Sequence, residues 1–111
     1  MRVRISDCSL HYEEAGTGEA LVLLHGNGED CTYFKGQIGY FSDRFHVIAL
    51  DTRGHGKSER GLEKFSINQF AEDLREVLDA LGLSQVHLLG FSDGGNIAMA
   101  FALRYPEQIG R

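Results

Sequence analysis

The residue best placed to do chemistry is Ser92, because of what surrounds it. The apolar run Val86-His87-Leu88-Leu89 passes directly into Gly90-Phe91-Ser92-Asp93-Gly94-Gly95, which sets a G-x-S-x-G pattern between a strand-like segment and a helix-like one. A serine on so tight a turn projects its hydroxyl from a strained backbone, and the residues two before and two after it must be small to avoid collision. Gly90 and Gly94 meet that need. The chemistry implied is attack by Ser92 Oγ on a carbonyl carbon, with the Asp93 N–H and the positive end of the following helix facing the oxygen that turns negative. G-x-S-x-G alone also describes an ordinary glycine-rich turn. Here the buried strand before it and the small-residue helix after it, Ile97 to Ala102 and ended by Tyr105-Pro106, make it informative.

A second segment complements the first. Leu23-Leu24-His25-Gly26-Asn27-Gly28 closes an apolar run and precedes a helical pattern, the place where a backbone N–H can be aimed at an oxyanion. The Asn27 N–H is the candidate donor from this loop, with Asp93 supplying the other. Gly26 and Gly28 permit a close backbone approach, and His25 is read as a brace that hydrogen-bonds the loop rather than as a proton shuttle.

Together with Asp51-Thr52-Arg53-Gly54-His55-Gly56-Lys57-Ser58, which is similar to a D-x-R-G-x-G-x-S loop, these residues resemble the α/β-hydrolase family. The resemblance covers essentially the whole chain. It is closest to the serine esterase and haloperoxidase-like group, with an elbow similar to that of valacyclovir hydrolase-type enzymes. Relatives that dehalogenate or open epoxides carry aspartate where this chain has Ser92. The resemblance implies hydrolysis of an ester of a small carboxylic acid through an acyl-enzyme, with amides and carbon–carbon bonds as related substrates and with no cofactor. It also makes Asp51, Arg53 and His55 packing and hydrogen-bonding residues rather than catalytic ones. In this family the triad follows the order Ser, then Asp or Glu, then His, and no histidine follows Ser92 here. Residues 1–111 are therefore expected to form an incomplete α/β-hydrolase domain, an N-terminal portion inactive by itself.

The elements that must position these residues alternate along the chain. Residues 2–6 and 9–14 read as an antiparallel hairpin, and the apolar runs at 21–24, 45–50 and 86–90 read as strands buried on both faces. Helical patterns near 31–42 and 66–82 lie between them, so a mostly parallel sheet with an antiparallel N-terminal hairpin and helices on both faces is expected. The later helix is the better marked. Ile67, Phe70, Ala71, Leu74, Val77, Leu78 and Leu81 share a face, and Ser66 with Gln69 writes a capping box. Phe65 and Phe70 form a hydrophobic staple, and Gly82 and Leu83 form a Schellman stop.

Composition narrows the alternatives. With 42% hydrophobic residues, 24% charged residues and a net charge of −5, the 111-residue chain reads as one folded domain and disfavours nucleic acid as a partner. No segment has signal-peptide or membrane-span character, so the expected setting is the cytoplasm with no membrane partner. Cys8 and Cys31 lack C-x-x-C spacing and sequence-adjacent histidines, and no metal is expected. A dinucleotide-binding module is the strongest rival, but the third glycine of G-x-G-x-x-G would fall on Cys31. A P-loop reading of Gly56-Lys57-Ser58 fails because its first glycine would fall on Asp51. A noncatalytic binding domain of the same ancestry is the remaining alternative.

Overall fold

The structure is a computed structural model and describes residues 1–26, 28–59 and 66–109. Five strands form one sheet: β1 (Arg2–Arg4), β2 (Ser9–Ala15), β3 (Glu19–Leu24), β4 (Phe45–Leu50) and β5 (Val86–Gly90), in the order β1-β2-β4-β3-β5. β3 pairs in parallel with both β4 and β5, while β1 and β2 pair antiparallel and attach to β4 through β2, also antiparallel. The hairpin thus lies at one edge and the strand leading to Ser92 lies at the other.

Strand alternation splits the core in two. Val22, Leu24, Ile48 and Leu50 point to the face covered by helices α2 (Ile67–Ala80) and α3 (Asp93–Arg104). Leu21, Leu23, Val47 and Ala49 point to the opposite face, where they meet Cys31 and Phe34. Both faces being covered is why β3 and β4 read as unbroken apolar runs.

The helical pattern near 31–42 divides into a 3₁₀ turn, Cys31–Phe34, and a short helix α1 (Lys35–Phe41). Asp30 caps the turn by accepting the Thr32 N–H, and Gly36 and Gly39 weaken the helix that follows. The Ser66 hydroxyl caps α2 by accepting the Gln69 N–H at 3.0 Å. The Gln69 side chain runs along the helix and donates to Asp73 Oδ1 at 2.9 Å, so the expected box is realised through its serine half. Phe65 of the expected staple lies outside the described residues. At the other end, the Leu83 N–H reaches Leu78 O at 2.9 Å and the Gly82 N–H reaches Asp79 O at 3.2 Å, with Gly82 at φ 73°. This is the Schellman pairing, in the left-handed conformation that glycine adopts without strain.

Beyond α3, Ile109 bridges Val86 in parallel. Pro106 opens a 3₁₀ turn, Pro106–Gln108, that returns the chain to the start of β5 within three residues.

Candidate active site

Ser92 occupies the junction between β5 and α3. Its φ of 57° and ψ of −116° make it the one non-glycine residue with positive φ among those described. A conformation that L-residues avoid costs on the order of 1–3 kcal/mol, and it persists only where the surroundings impose it. The surroundings here are backbone. The Phe91 N–H donates to Leu24 O at 3.0 Å, tying the bend to the end of β3. A side chain on Gly90 would strike the Gly94 carbonyl, and one on Gly94 would strike the Leu24 carbonyl oxygen. Both positions therefore require glycine for lack of space. Ser92 itself is exposed, so its hydroxyl is presented outward.

The N-terminal turn of α3 organises the donors. The Gly94 N–H bonds to Phe91 O at 2.9 Å, and the Gly95 N–H bonds to Ser92 O at 2.9 Å. The Asp93 N–H has no acceptor among the described residues and stands at the positive end of the helix.

The loop after β3 packs directly on this bend. A Cβ built on Gly26 would lie 3.4 Å from Ser92 Cβ and 3.4 Å from Phe91 O. A turn closes from Gly26 to Glu29, with the Glu29 N–H on Gly26 O at 3.1 Å. The Glu29 carboxylate accepts the Gly26 N–H at 3.0 Å. This uses up the Gly26 donor and holds the turn from both ends. Asn27 lies outside the described residues, and Gly28 follows at φ 79° in open space. Glu29 was not singled out from sequence, because its role depends on a turn whose shape the residue types do not announce.

His25 is buried at 2% exposure. Its Nδ1 faces Gly26 O at 2.7 Å, and its Nε2 accepts the Thr52 N–H at 3.1 Å. An acceptor at Nε2 places the proton on Nδ1, which then donates to Gly26 O. Burial lowers the His25 pKa below its usual value, against the opposing pull of the Gly26 carbonyl, and keeps the ring neutral. The Thr52 hydroxyl lies 3.2 Å from His25 Nε2 and 3.1 Å from His55 Nδ1, joining the loop after β3 to the loop after β4.

The 51–58 loop is held by its own first residue. Asp51 accepts the Cys31 N–H at 2.6 Å and the Lys57 N–H at 2.9 Å, and its backbone carbonyl accepts the Ser58 hydroxyl. Gly56, at φ 54°, leaves room for that carboxylate. Arg53, with no exposed surface, forms two hydrogen bonds with Asp73 at 2.7 and 2.8 Å and two with Asp7 at 2.8 Å each. The two carboxylates hold the guanidinium charged, with its pKa raised further still. Beside the bend, Tyr33 stacks on Phe91 at 4.9 Å, and both rings are partly open to solvent.

Comparison with known proteins agrees with this architecture. Residues 19–111 match the family described as alpha/beta hydrolase fold. The 2-hydroxy-6-oxo-6-phenylhexa-2,4-dienoate hydrolase of Comamonas testosteroni is 40% identical over 119 aligned positions, which cover 96% of this chain and 39% of that protein. The structure of a thermophilic esterase from Thermogutta terrifontis superposes with a TM-score of 0.93 at 34% identity, covering 98% of this chain and 43% of that one. An epoxide hydrolase of Bacillus megaterium superposes with a TM-score of 0.92 at 35% identity, covering 98% of this chain and 39% of that one. The chain spans only 28–39% of the length of curated relatives that it matches.

Proposed function

Since the chain belongs to the α/β-hydrolase fold family, we propose that it carries the nucleophile and the oxyanion hole of a serine hydrolase that cleaves esters of small carboxylic acids. Ser92 Oγ attacks the acyl carbon. The Asn27 and Asp93 N–H groups hold the oxygen of the tetrahedral intermediate, the leaving alcohol departs with a proton, and water releases the acyl group from Ser92. The observation that carries the reading is the bend at Ser92, with its φ of 57°, packed against Gly26 of the loop that ends β3. Gly90 and Gly94 give the bend its space, Gly26 gives the loop its close approach, Gly28 turns the loop at positive φ with open space around it rather than approaching the bend, and His25 braces the loop. No metal or organic cofactor is required by this chemistry.

A second substrate class has a specific support. The dienoate named in the Comamonas relative contains a ketone and no ester, so hydrolysing it breaks a carbon–carbon bond. Attack by Ser92 on a ketone carbonyl uses the same donors and makes this the alternative for the whole protein.

The five histidines of this chain all precede Ser92. An incomplete domain of this kind leaves Ser92 as an ordinary hydroxyl, because the general base of such a triad comes from a later loop. The expected outcome is that p-nitrophenyl acetate hydrolysis by the purified 111-residue chain equals that of its Ser92→Ala variant. When the chain is joined to a downstream segment supplying Asp and His, hydrolysis rises and Ser92→Ala abolishes it. Serine-dependent turnover by the short chain would defeat the claim of inactivity. Activity that survives Ser92→Ala in the extended protein would defeat the assignment of the nucleophile.

A further inference from the structure

Away from the Ser92 bend, the fold gathers three chemically unlike ligand groups from distant parts of the chain. His11 comes from β2, Cys31 opens the 3₁₀ turn, and Asp51 follows β4. All three are buried, and one ligand atom from each lies within 4.8 Å of the others. Glu13, two residues on from His11 along β2, approaches it with Oε2 2.6 Å from His11 Nε2. Alternation along the strand puts these two side chains on one face. A cleft of about 380 Å³ lined by Glu13, Cys31, Lys35 and Ile38 among others reaches the group at Cys31. From these positions we propose that His11, Cys31 and Asp51, with Glu13 at the mouth of the cleft, form a binding site for one divalent cation of the zinc type.

The donor set fits such an ion. One imidazole, one sulfur and carboxylate oxygens are the ligands that zinc takes in tetrahedral sites, at about 2.0–2.3 Å each. Ligand atoms in a filled site of that kind lie roughly 3.3–3.8 Å apart, so the cluster closes by about 1 Å through side-chain rotation. Each Asp51 oxygen already accepts one backbone N–H, from Cys31 and from Lys57, and a carboxylate oxygen has room for a second partner. Burial, with the Asp51 carboxylate accepting its S–H, pushes the Cys31 thiol up to about 12, so the sulfur holds a proton. The cation takes that proton's place. The metal–sulfur bond forms as the S–H bond breaks, and the proton leaves to solvent without any change of oxidation state. A bound ion would tie β2, the turn after the Gly26 loop and the loop after β4 to one centre.

The experiment uses the purified, reduced chain, with zinc(II) measured by equilibrium dialysis and cobalt(II) by absorption. The expected result is one zinc per chain and, with cobalt, a sulfur-to-metal charge-transfer band. The chain has two cysteines, so Cys8→Ser assigns the band: it persists in that variant and disappears in Cys31→Ser. Cys31→Ser and His11→Gln weaken zinc binding by more than about tenfold, while circular dichroism confirms that each is folded. Absence of the band in the unmodified chain overturns the proposal whether or not the variants fold. So does its loss in Cys8→Ser, or undiminished zinc binding in folded Cys31→Ser.

Discussion

At the scale of single residues, burial decides what each polar group can do. His25, read from sequence as a brace rather than a proton shuttle, has both ring nitrogens committed to backbone partners, Gly26 O and the Thr52 N–H. Its lowered pKa has a consequence for stability. Above the ordinary value of 6.5 the ring is neutral in both the folded and unfolded chain, and the full stability is present. As pH falls below that value the unfolded chain takes up the proton first, and stability is lost until the folded ring is protonated at its lower pKa. Resistance to urea is therefore expected to fall as pH drops through the ordinary value of 6.5, and His25→Gln should flatten that dependence. An equal slope in the variant would mean that His25 is not held neutral by the fold. Asp30 and Glu72, whose carboxyls are held below the usual range by hydrogen bonds from Thr32 and Tyr105, lose their contributions only in more acid solution.

At the scale of elements, local signals and long-range ties divide the work. α2 is specified by its own sequence, with the Ser66 cap at one end and the Gly82 turn at the other. Ser66→Ala should cost about 1 kcal/mol in thermal or urea unfolding, because the Gln69 N–H loses its acceptor. No loss of stability would show that the first turn is satisfied in another way. α1 lacks comparable signals and depends on its neighbours. The loop after β4 is the opposite case, since Arg53 joins it to Asp7 in the turn after β1 and to Asp73 in the middle of α2. Asp73 is buried at the flank of that helix's apolar face, and the buried guanidinium explains the presence of a carboxylate there.

At the scale of the whole molecule, the sheet has two unlike edges. One is closed by the short, charged β1, whose exposed Arg2 and Arg4 discourage pairing with another chain. The other is β5, which among the described residues meets a neighbour on its outer side only at Val86, through Ile109. Nearby on α3, Met99 and Leu103 are 67% and 83% exposed. An open apolar edge beside exposed apolar side chains favours self-association. Light scattering after size exclusion is expected to show oligomers that grow with concentration, whereas a monodisperse monomer with sharp cooperative unfolding would contradict this. Among the described residues no helix is long and apolar enough to cross a membrane.

Much of this protein was decided by local sequence. The strand, bend and helix around Ser92, the apolar runs of β3 and β4 and the caps of α2 all follow from residue types a few positions apart, because backbone strain, alternation and capping act over that range. The partnerships of Arg53 with Asp7 and Asp73, of Glu29 with Gly26, and of His11 with Cys31 and Asp51 were decided only by the tertiary structure. Several of them join residues 20 to 46 positions apart, and sheet order and helix packing, which no local pattern encodes, determine which of those residues meet.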